Sequence, residues 1–240
     1  MSEYNHIVEF YGNNPTMGFT TFNTLSAEDK NRIKRMLNNL KSFEAPDMYS
    51  KIDNDVYIIE HFEFDASKRN RKGMSGIKEE NDLKQRIREK TEENYIIDQA
   101  HYTVDKQSFQ KNFEGVFDHH YTKIDKYIEN LKKQGILCDD DRVHIGFFAE
   151  NIYPPLYEEW RNGEPRFVGE LLYFLTQQFY DFVQSKERLE FMLFGCIYNQ
   201  EHQLFYINPY DKGDKLLDLE DNSIVFSKMN GNEFTLAYSF

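Results

Sequence analysis

The sequence predicts an α/β fold, in which helices flank a mixed central sheet and a β-hairpin region forms the C-terminal part; an α+β arrangement is the alternative. Two observations predict this fold. Strand-like and helix-like segments are mixed over residues 1–188, whereas residues 189–240 are mostly strand-like. The 240 residues include 16 Tyr and 21 Phe, enough for one large aromatic-rich core. We therefore expect a single domain with an α/β core over 1–188 and a β-rich part over 189–240.

The N-terminal elements lead to the most unusual segment of the chain. Residues 4–11 look like a short strand. The sequence "SAED" at 26–29 matches a capping box, and apolar residues follow it at helical spacing, so a helix is expected over 26–42. Residues 45–54 predict a short strand and a turn. The apolar run at 55–65 predicts a strand that carries several polar side chains.

The later elements change from helical to extended patterns. We expect, in order, a basic loop (66–78), a charged helix (79–94), a long helix (106–134) that Gly135 ends, a strand (141–152), a helix (169–185) and two hairpins. The first hairpin turns at residues 199–202. The second turns at Asn230 and Gly231, because an Asn-Gly pair between strand-like segments is a strong hairpin signal.

Composition limits the class of protein. No apolar run approaches the roughly 20 residues needed to span a bilayer, so we expect no membrane association. The N-terminus lacks the basic and apolar regions of a secretory signal. The 2 cysteines, Cys138 and Cys196, have no metal-ligand spacing. These features are typical of a cytoplasmic protein with reduced thiols.

Charge is unevenly distributed along the chain. The net charge of −12 argues against a general nucleic-acid coat protein, which needs a basic surface to release counterions from phosphates. One loop nevertheless contains no acid and carries Lys68, Arg69, Arg71, Lys72 and Lys78. This loop, residues 68–78, either binds a nucleic-acid backbone or is an ordinary solvated loop. We expect it to be mobile without a ligand, because its like charges repel one another.

The strand at 55–65 places carboxylates at the end of an apolar run. Side chains alternate between the two faces of a strand. One face carries Tyr57, Ile59, His61, Glu63 and Asp65, and the other carries Val56, Ile58, Glu60, Phe62 and Phe64. Glu63 and Asp65 are roughly 7 Å apart along the strand. Both could therefore approach one divalent cation with a water between them.

A second strand repeats this pattern. In "VHIGFFAEN", Glu150 is the first acid after a run that is apolar apart from His144. Two neighbouring strands that each end in a carboxylate can hold a Mg²⁺ ion, which activates water and neutralises charge on a phosphate. The alternative is structural, since acids at strand ends often cap a turn or pair with a nearby lysine.

The long helix contributes a histidine to its apolar stripe. His120 lies between Phe117 and Ile124 at helical spacing, and His119 lies about 100° around the helix. A histidine in this position is usually a packed core residue. The functional alternative is that His120 reaches toward the carboxylates and acts as a general base or a phosphate donor.

The segments "IIEHFEFD" and "HIGFFAEN", with a helix before the first of them, resemble the restriction-endonuclease-like, or PD-(D/E)XK, superfamily over about residues 26–200. The chain is also similar in pattern to proteins of Gram-positive bacteria and their prophages. The superfamily resemblance implies a metal-dependent nuclease in which Glu63, Asp65 and Glu150 hold Mg²⁺ or Mn²⁺. The family's lysine is missing from both strands, since neither "EFD" nor "ENI" supplies it. Lys68 or Lys78 could replace it from the basic loop, and Lys78 is the catalytic candidate. If neither does, the fold persists without catalysis.

Two functions therefore remain open at this point. The first is a metal-dependent nuclease or nuclease-like protein that hydrolyses phosphodiester bonds. The second is a non-enzymatic regulatory module of a bacterium or phage, which binds a protein partner or a second copy of itself through an acidic, aromatic-rich surface. The clustered acids favour the first function, and the net charge of −12 favours the second.

Overall fold

A computed structural model describes the residues of the main sheet, the helices around it and several shorter strands. The described residues are 7, 26–66, 69–70, 73–74, 81–82, 85, 95–101, 106–151, 156–162, 164–170, 173–198, 201–211, 216–221, 224–226 and 233–239. The chain forms two compact units: unit 1 comprises Met1–Glu63, Gly115–Glu150 and Phe179–Leu216, and unit 2 comprises Phe64–Glu114, Asn151–Gln178 and Leu217–Phe240. The expected division at residue 188 stays a prediction.

The described elements follow in this order. The helices are α1 (Ala27–Asn38), α2 (Lys106–Tyr121), α3 (Ile124–Lys133) and α4 (Gln177–Val183), with a 3-10 turn at Tyr173–Leu175. The strands are β1 (Leu40–Ser42), β2 (Met48–Ile52), β3 (Asp55–Phe64), β4 (Arg69–Asn70), β5 (Gly73–Met74), β6 (Tyr95–His101), β7 (Arg142–Asn151), β8 (Leu156–Arg161), β9 (Glu164–Glu170), β10 (Phe191–Tyr198), β11 (Glu201–Ile207), β12 (Ile224–Phe226) and β13 (Glu233–Ser239). Among these described helices, none has the length and apolarity that crossing a bilayer requires.

The largest sheet has the strand order β1-β2-β3-β7-β10-β11. Strand β2 pairs antiparallel with both β1 and β3. Strand β10 pairs parallel with β7 and antiparallel with β11. The sheet is therefore mixed, and together with the helices it confirms the predicted α/β class.

Within unit 1, the two faces of this sheet pack against different helices. On one face, Ile33, Met36 and Leu37 of α1 join a buried cluster that includes Phe148 of β7. On the other face, the ring of Phe117 in α2 packs against Phe62 of β3 and Phe147 of β7, with centroids 6.1 and 4.8 Å apart. Consecutive residues of one strand thus face different helices, as period-two geometry requires.

The helices are shorter than the sequence predicts. Helix α1 begins where expected, because the Ser26 hydroxyl accepts a hydrogen bond from the Asp29 N–H (3.0 Å). It ends at Asn38, before β1. The predicted helix over 106–134 is two helices, since Thr122 and Lys123 separate α2 from α3. Gly135 ends the second of them with a φ of 69°, a conformation that glycine adopts without strain.

The predicted helix over 169–185 is also wrong in its first half. That segment contains the end of β9, the 3-10 turn and only then α4. Pairing of β9 with β8 extends through Gly169 and Glu170, so the first two residues of the predicted helix are strand instead.

One of the two predicted hairpins is confirmed. Strands β10 and β11 pair antiparallel with Tyr198 opposite Glu201, so the turn lies where expected. The second prediction is wrong, because β12 pairs with β8 and β13 pairs with β6. A local Asn-Gly signal cannot overrule pairing partners that lie far away in the sequence.

Some predicted elements fall on residues outside the described part of the chain. Most of the charged helix over 79–94 is in this group, and its described residues 81, 82 and 85 are helical as predicted. Of the predicted strand over 4–11 only Ile7 is described, and it is helical, so the strand prediction is wrong at this residue. Of the basic loop, the backbone is described only at β4 and β5, which form a short antiparallel pair. The expected mobility of that loop stays a prediction.

Candidate metal centre

Strands β3 and β7 are neighbours, and polar side chains meet near both of their ends. His144 contacts Asp55 near the start of each strand, and His61 contacts Glu150 near the end. The two strands therefore run in the same direction and end at the same edge of the sheet. Nε2 of His61 lies 2.5 Å from Oε2 of Glu150, and their side chains are only 7% and 12% exposed. A buried carboxylate needs such a partner, since its desolvation is costly.

Glu63 completes a group of three potential ligands. One donor atom from each of His61, Glu63 and Glu150 lies within 4.8 Å of the other two. Glu63 is exposed, whereas the ring of His61 packs on Phe148 with centroids 5.0 Å apart. The group therefore has an apolar wall on one side and access to solvent through Glu63.

A side chain holds the backbone at His61, beyond the end of the β2–β3 ladder. The register of β2 with β3 begins at Met48 and Ile59, so His61 lies beyond the last residue of β3 with a partner in β2. The carboxylate of Asp47 accepts a hydrogen bond from the His61 N–H instead (2.8 Å). This bond fixes the backbone from which the imidazole projects.

The donor set indicates which cations fit. Two carboxylates balance the charge of a divalent ion, and they are the ligands that Mg²⁺ and Mn²⁺ prefer. An imidazole nitrogen suits first-row transition ions better than Mg²⁺, which favours oxygen ligands and retains its waters. The combination therefore fits Mn²⁺ better than Mg²⁺.

The sequence-predicted ligands are only partly brought together. Glu63 and Glu150 belong to the group of three, and His61 takes the third position. Asp65 follows the end of β3 and belongs to unit 2. It is buried, and its backbone carbonyl accepts a hydrogen bond from Nδ2 of Asn112 (2.7 Å). Asp65 as a metal ligand stays a prediction.

His120 contacts a different carboxylate. Its Nδ1 lies 2.8 Å from Oε1 of Glu60, and the Tyr127 hydroxyl donates to the same oxygen at 2.5 Å. Burial, with the bond to Glu60 as the next cause, raises the pKa of Tyr127 well above its ordinary value, so the hydroxyl remains a donor. Glu60 and His61 are consecutive in β3 and point to opposite faces. The structure therefore pairs His120 with Glu60 on the face opposite the group of three.

Two further candidates lie outside the described residues. Lys78, the catalytic candidate from the basic loop, and Lys68, the alternative replacement for the family's lysine, both lie there, and their roles stay predictions.

Sequence reasoning missed His61 as a ligand and missed the partners of Glu60. The alternation of β3 did place His61 beside Glu63 on one face, so the signal for His61 was present. The contacts of Glu60 with α2 and α3 join residues far apart in the chain, and no local pattern predicts them.

Comparison of the chain with protein-family models, with curated proteins and with solved structures found no match in any of the three.

Proposed function

We propose that this protein is a metal-dependent hydrolase of phosphodiester bonds, a nuclease-like enzyme whose centre is formed by His61, Glu63 and Glu150. The observation that carries the proposal is the convergence of these three donor atoms within 4.8 Å of one another. The exposure of Glu63 supports it, because a substrate could reach the group from solvent on that side.

Each of the three residues has a distinct part in the proposal. Glu150 and His61 form the buried part of the centre, and Glu63 forms the solvent-facing part. The cation that they hold, Mn²⁺ in preference to Mg²⁺, would lower the pKa of a water and neutralise charge on the scissile phosphate. Before a cation binds, Glu150 would keep the imidazole of His61 in place, because the two side chains are in direct contact; the cation would take over that contact.

The phosphodiester substrate rests on the resemblance and on the basic loop over 68–78. Five like-charged residues in that loop would attract a nucleic-acid backbone to a chain whose net charge is −12. Lys78 would orient the attacking water. We further propose a cytoplasmic location, in agreement with the expected reduced thiols.

Metal binding tests the centre directly. Isothermal titration with Mn²⁺ should give one site in the wild-type chain, and Glu63→Gln should weaken it by about tenfold or more, because it removes an anionic ligand. Glu129→Gln is the matched control, since Glu129 is exposed on α3 and pairs with the exposed Lys133. Equal affinity in wild type and Glu63→Gln, or no Mn²⁺ binding at all, would refute the centre.

A cleavage assay separates the two candidate functions. Labelled single-stranded and double-stranded DNA and RNA should be cut in the presence of Mn²⁺ and left intact with a chelator. The net charge of −12 favours the second candidate, a protein-binding module. Mn²⁺ binding without any cleavage would exclude the nuclease and favour that module.

A further inference from the structure

Asp47 lies between two polar groups that occupy opposite faces of the main sheet. Its carboxylate accepts a hydrogen bond from the N–H of His61 (2.8 Å). Its own N–H donates to Oε2 of Glu60 (3.3 Å). The metal centre on one face and the Glu60–His120–Tyr127 group on the other are thus joined through one residue.

We propose that Asp47 is a positioning residue for the metal centre, and that the Glu60–His120–Tyr127 group is the anchor that holds Asp47. The inference rests on the proposed function only in that His61 is a metal ligand. It assigns His120 a supporting part and not a catalytic one.

The local geometry explains why the position of His61 depends on Asp47. The N–H of His61 lies past the last pair of the β2–β3 ladder, and the carboxylate of Asp47 accepts its hydrogen bond there. Without that acceptor, the end of β3 would lose this backbone contact on the side of β2. A ligand's backbone would then move more freely, and a metal centre requires its ligands to be fixed in advance.

The loop that carries Asp47 is itself held at several points. The Phe43 N–H donates to the Asp47 carbonyl (2.8 Å), which closes the turn between β1 and β2. Nδ2 of Asn130 in α3 donates to the Ala45 carbonyl (2.8 Å). Tyr127, also in α3, holds Glu60. Helix α3 therefore fixes the loop both directly and through Glu60.

The hydrogen bonds of Glu60 fit an anchor. Its carboxylate accepts from the Tyr127 hydroxyl and the Asp47 N–H, and it contacts Nδ1 of His120. A carboxylate with these partners is satisfied and rigid. His120 also stacks on Phe62, with centroids 5.8 Å apart, so its ring is held in the core that Phe62 and Phe117 form.

The test compares Mn²⁺ affinity and thermal stability in matched variants. Asp47→Ala should weaken Mn²⁺ binding by about tenfold, the usual effect of removing a group that orients a metal ligand. Asp47→Asn should bind within about threefold of wild type, because the amide oxygen can still accept from His61. Asp141→Ala is the control, since Asp141 also accepts a backbone N–H, that of Cys138 (2.7 Å), but lies before the start of β7. It should lower the melting temperature and leave Mn²⁺ affinity unchanged.

Tyr127→Phe provides a second variant if Asp47→Ala does not fold, because it removes only the hydroxyl that holds Glu60. It should weaken Mn²⁺ binding by a smaller factor than Asp47→Ala. Unchanged Mn²⁺ affinity in Asp47→Ala or in Tyr127→Phe would overturn the inference. An Asp47→Asn variant that binds Mn²⁺ as weakly as Asp47→Ala would overturn it too, because the charge of Asp47, and not its hydrogen bond to His61, would then determine the affinity. A wild-type chain that binds no Mn²⁺ would instead refute the proposed centre itself.

Discussion

The main sheet leaves no space for a side chain at Gly146. It lies in β7 opposite Phe191 of β10 in the parallel register. A Cβ atom built on Gly146 would overlap the Phe191 ring, well inside contact distance. Phe191 is only 3% exposed, so the ring that the added atom would displace is part of the packed core. The absence of a side chain at Gly146 is therefore a packing requirement.

Gly146→Ala should lower the free energy of unfolding by about 1–3 kcal/mol, because overpacking a core displaces its neighbours. Gly115→Ala is the matched control. Gly115 lies in α2 with no atom within 4 Å of a built Cβ, so the same substitution should stabilise the chain by up to about 1 kcal/mol. Urea denaturation of both variants measures the difference. Equal effects of the two substitutions would contradict this account.

At the scale of elements, His144 ties together the starts of β3, β7 and β10. Its Nδ1 lies 2.6 Å from Oε2 of Glu190, and its Nε2 lies 2.9 Å from Oδ1 of Asp55. Both ring nitrogens donate to carboxylates only when the imidazole is charged. The bond to Glu190 raises the pKa of His144, followed by the bond to Asp55, while burial opposes them. The ring also stacks on Tyr57, with centroids 4.6 Å apart.

Stability should therefore decrease as the pH rises above neutrality. The folded-state pKa of His144 is above the unfolded value of about 6.5, so its contribution is fully present below that pH and is lost as the pH rises through the folded pKa. Urea denaturation between pH 6 and 9 measures the decrease, and His144→Gln should remove most of it. His119→Gln is the control, because His119 is exposed. Identical pH profiles of stability for wild type and His144→Gln would exclude a stabilising role for the contacts of His144 with Glu190 and Asp55.

The elements also show how far the sequence predicts this fold. Strands β3 and β7 and the β10–β11 hairpin followed from local patterns, because alternation and short turns are encoded within a few residues. The pairing of β12 with β8 and of β13 with β6 did not, since the partners are distant in sequence. The same limit applies to the site: alternation separated Glu60 from Glu63 correctly, but the contacts of Glu60 with Tyr127 and His120 depend on tertiary packing.

For the whole molecule, cation binding should appear as added stability. A ligand that binds only the folded chain stabilises it by mass action, about 2.7 kcal/mol at a concentration one hundred times its Kd. If the proposed centre is correct, Mn²⁺ should raise the melting temperature more than an equal concentration of Mg²⁺, because His61 would supply a nitrogen ligand. The measurement is thermal denaturation with each ion. His61→Gln should abolish the difference between the two ions, and equal shifts in the wild-type chain would argue against His61 as a ligand.

The alternation of β3 has a consequence for changes in chain length. Glu60 and His61 serve opposite faces only because they occupy consecutive positions in one uninterrupted strand. An insertion or deletion of one residue between Val56 and Ile59 would move every later side chain of the strand to the opposite face of the sheet. Glu60 would turn toward α1 and His61 toward α3, and the proposed cation ligands and the proposed anchor would be lost together. Indels in this protein should therefore be tolerated in loops and eliminated from β3, even where substitutions are accepted.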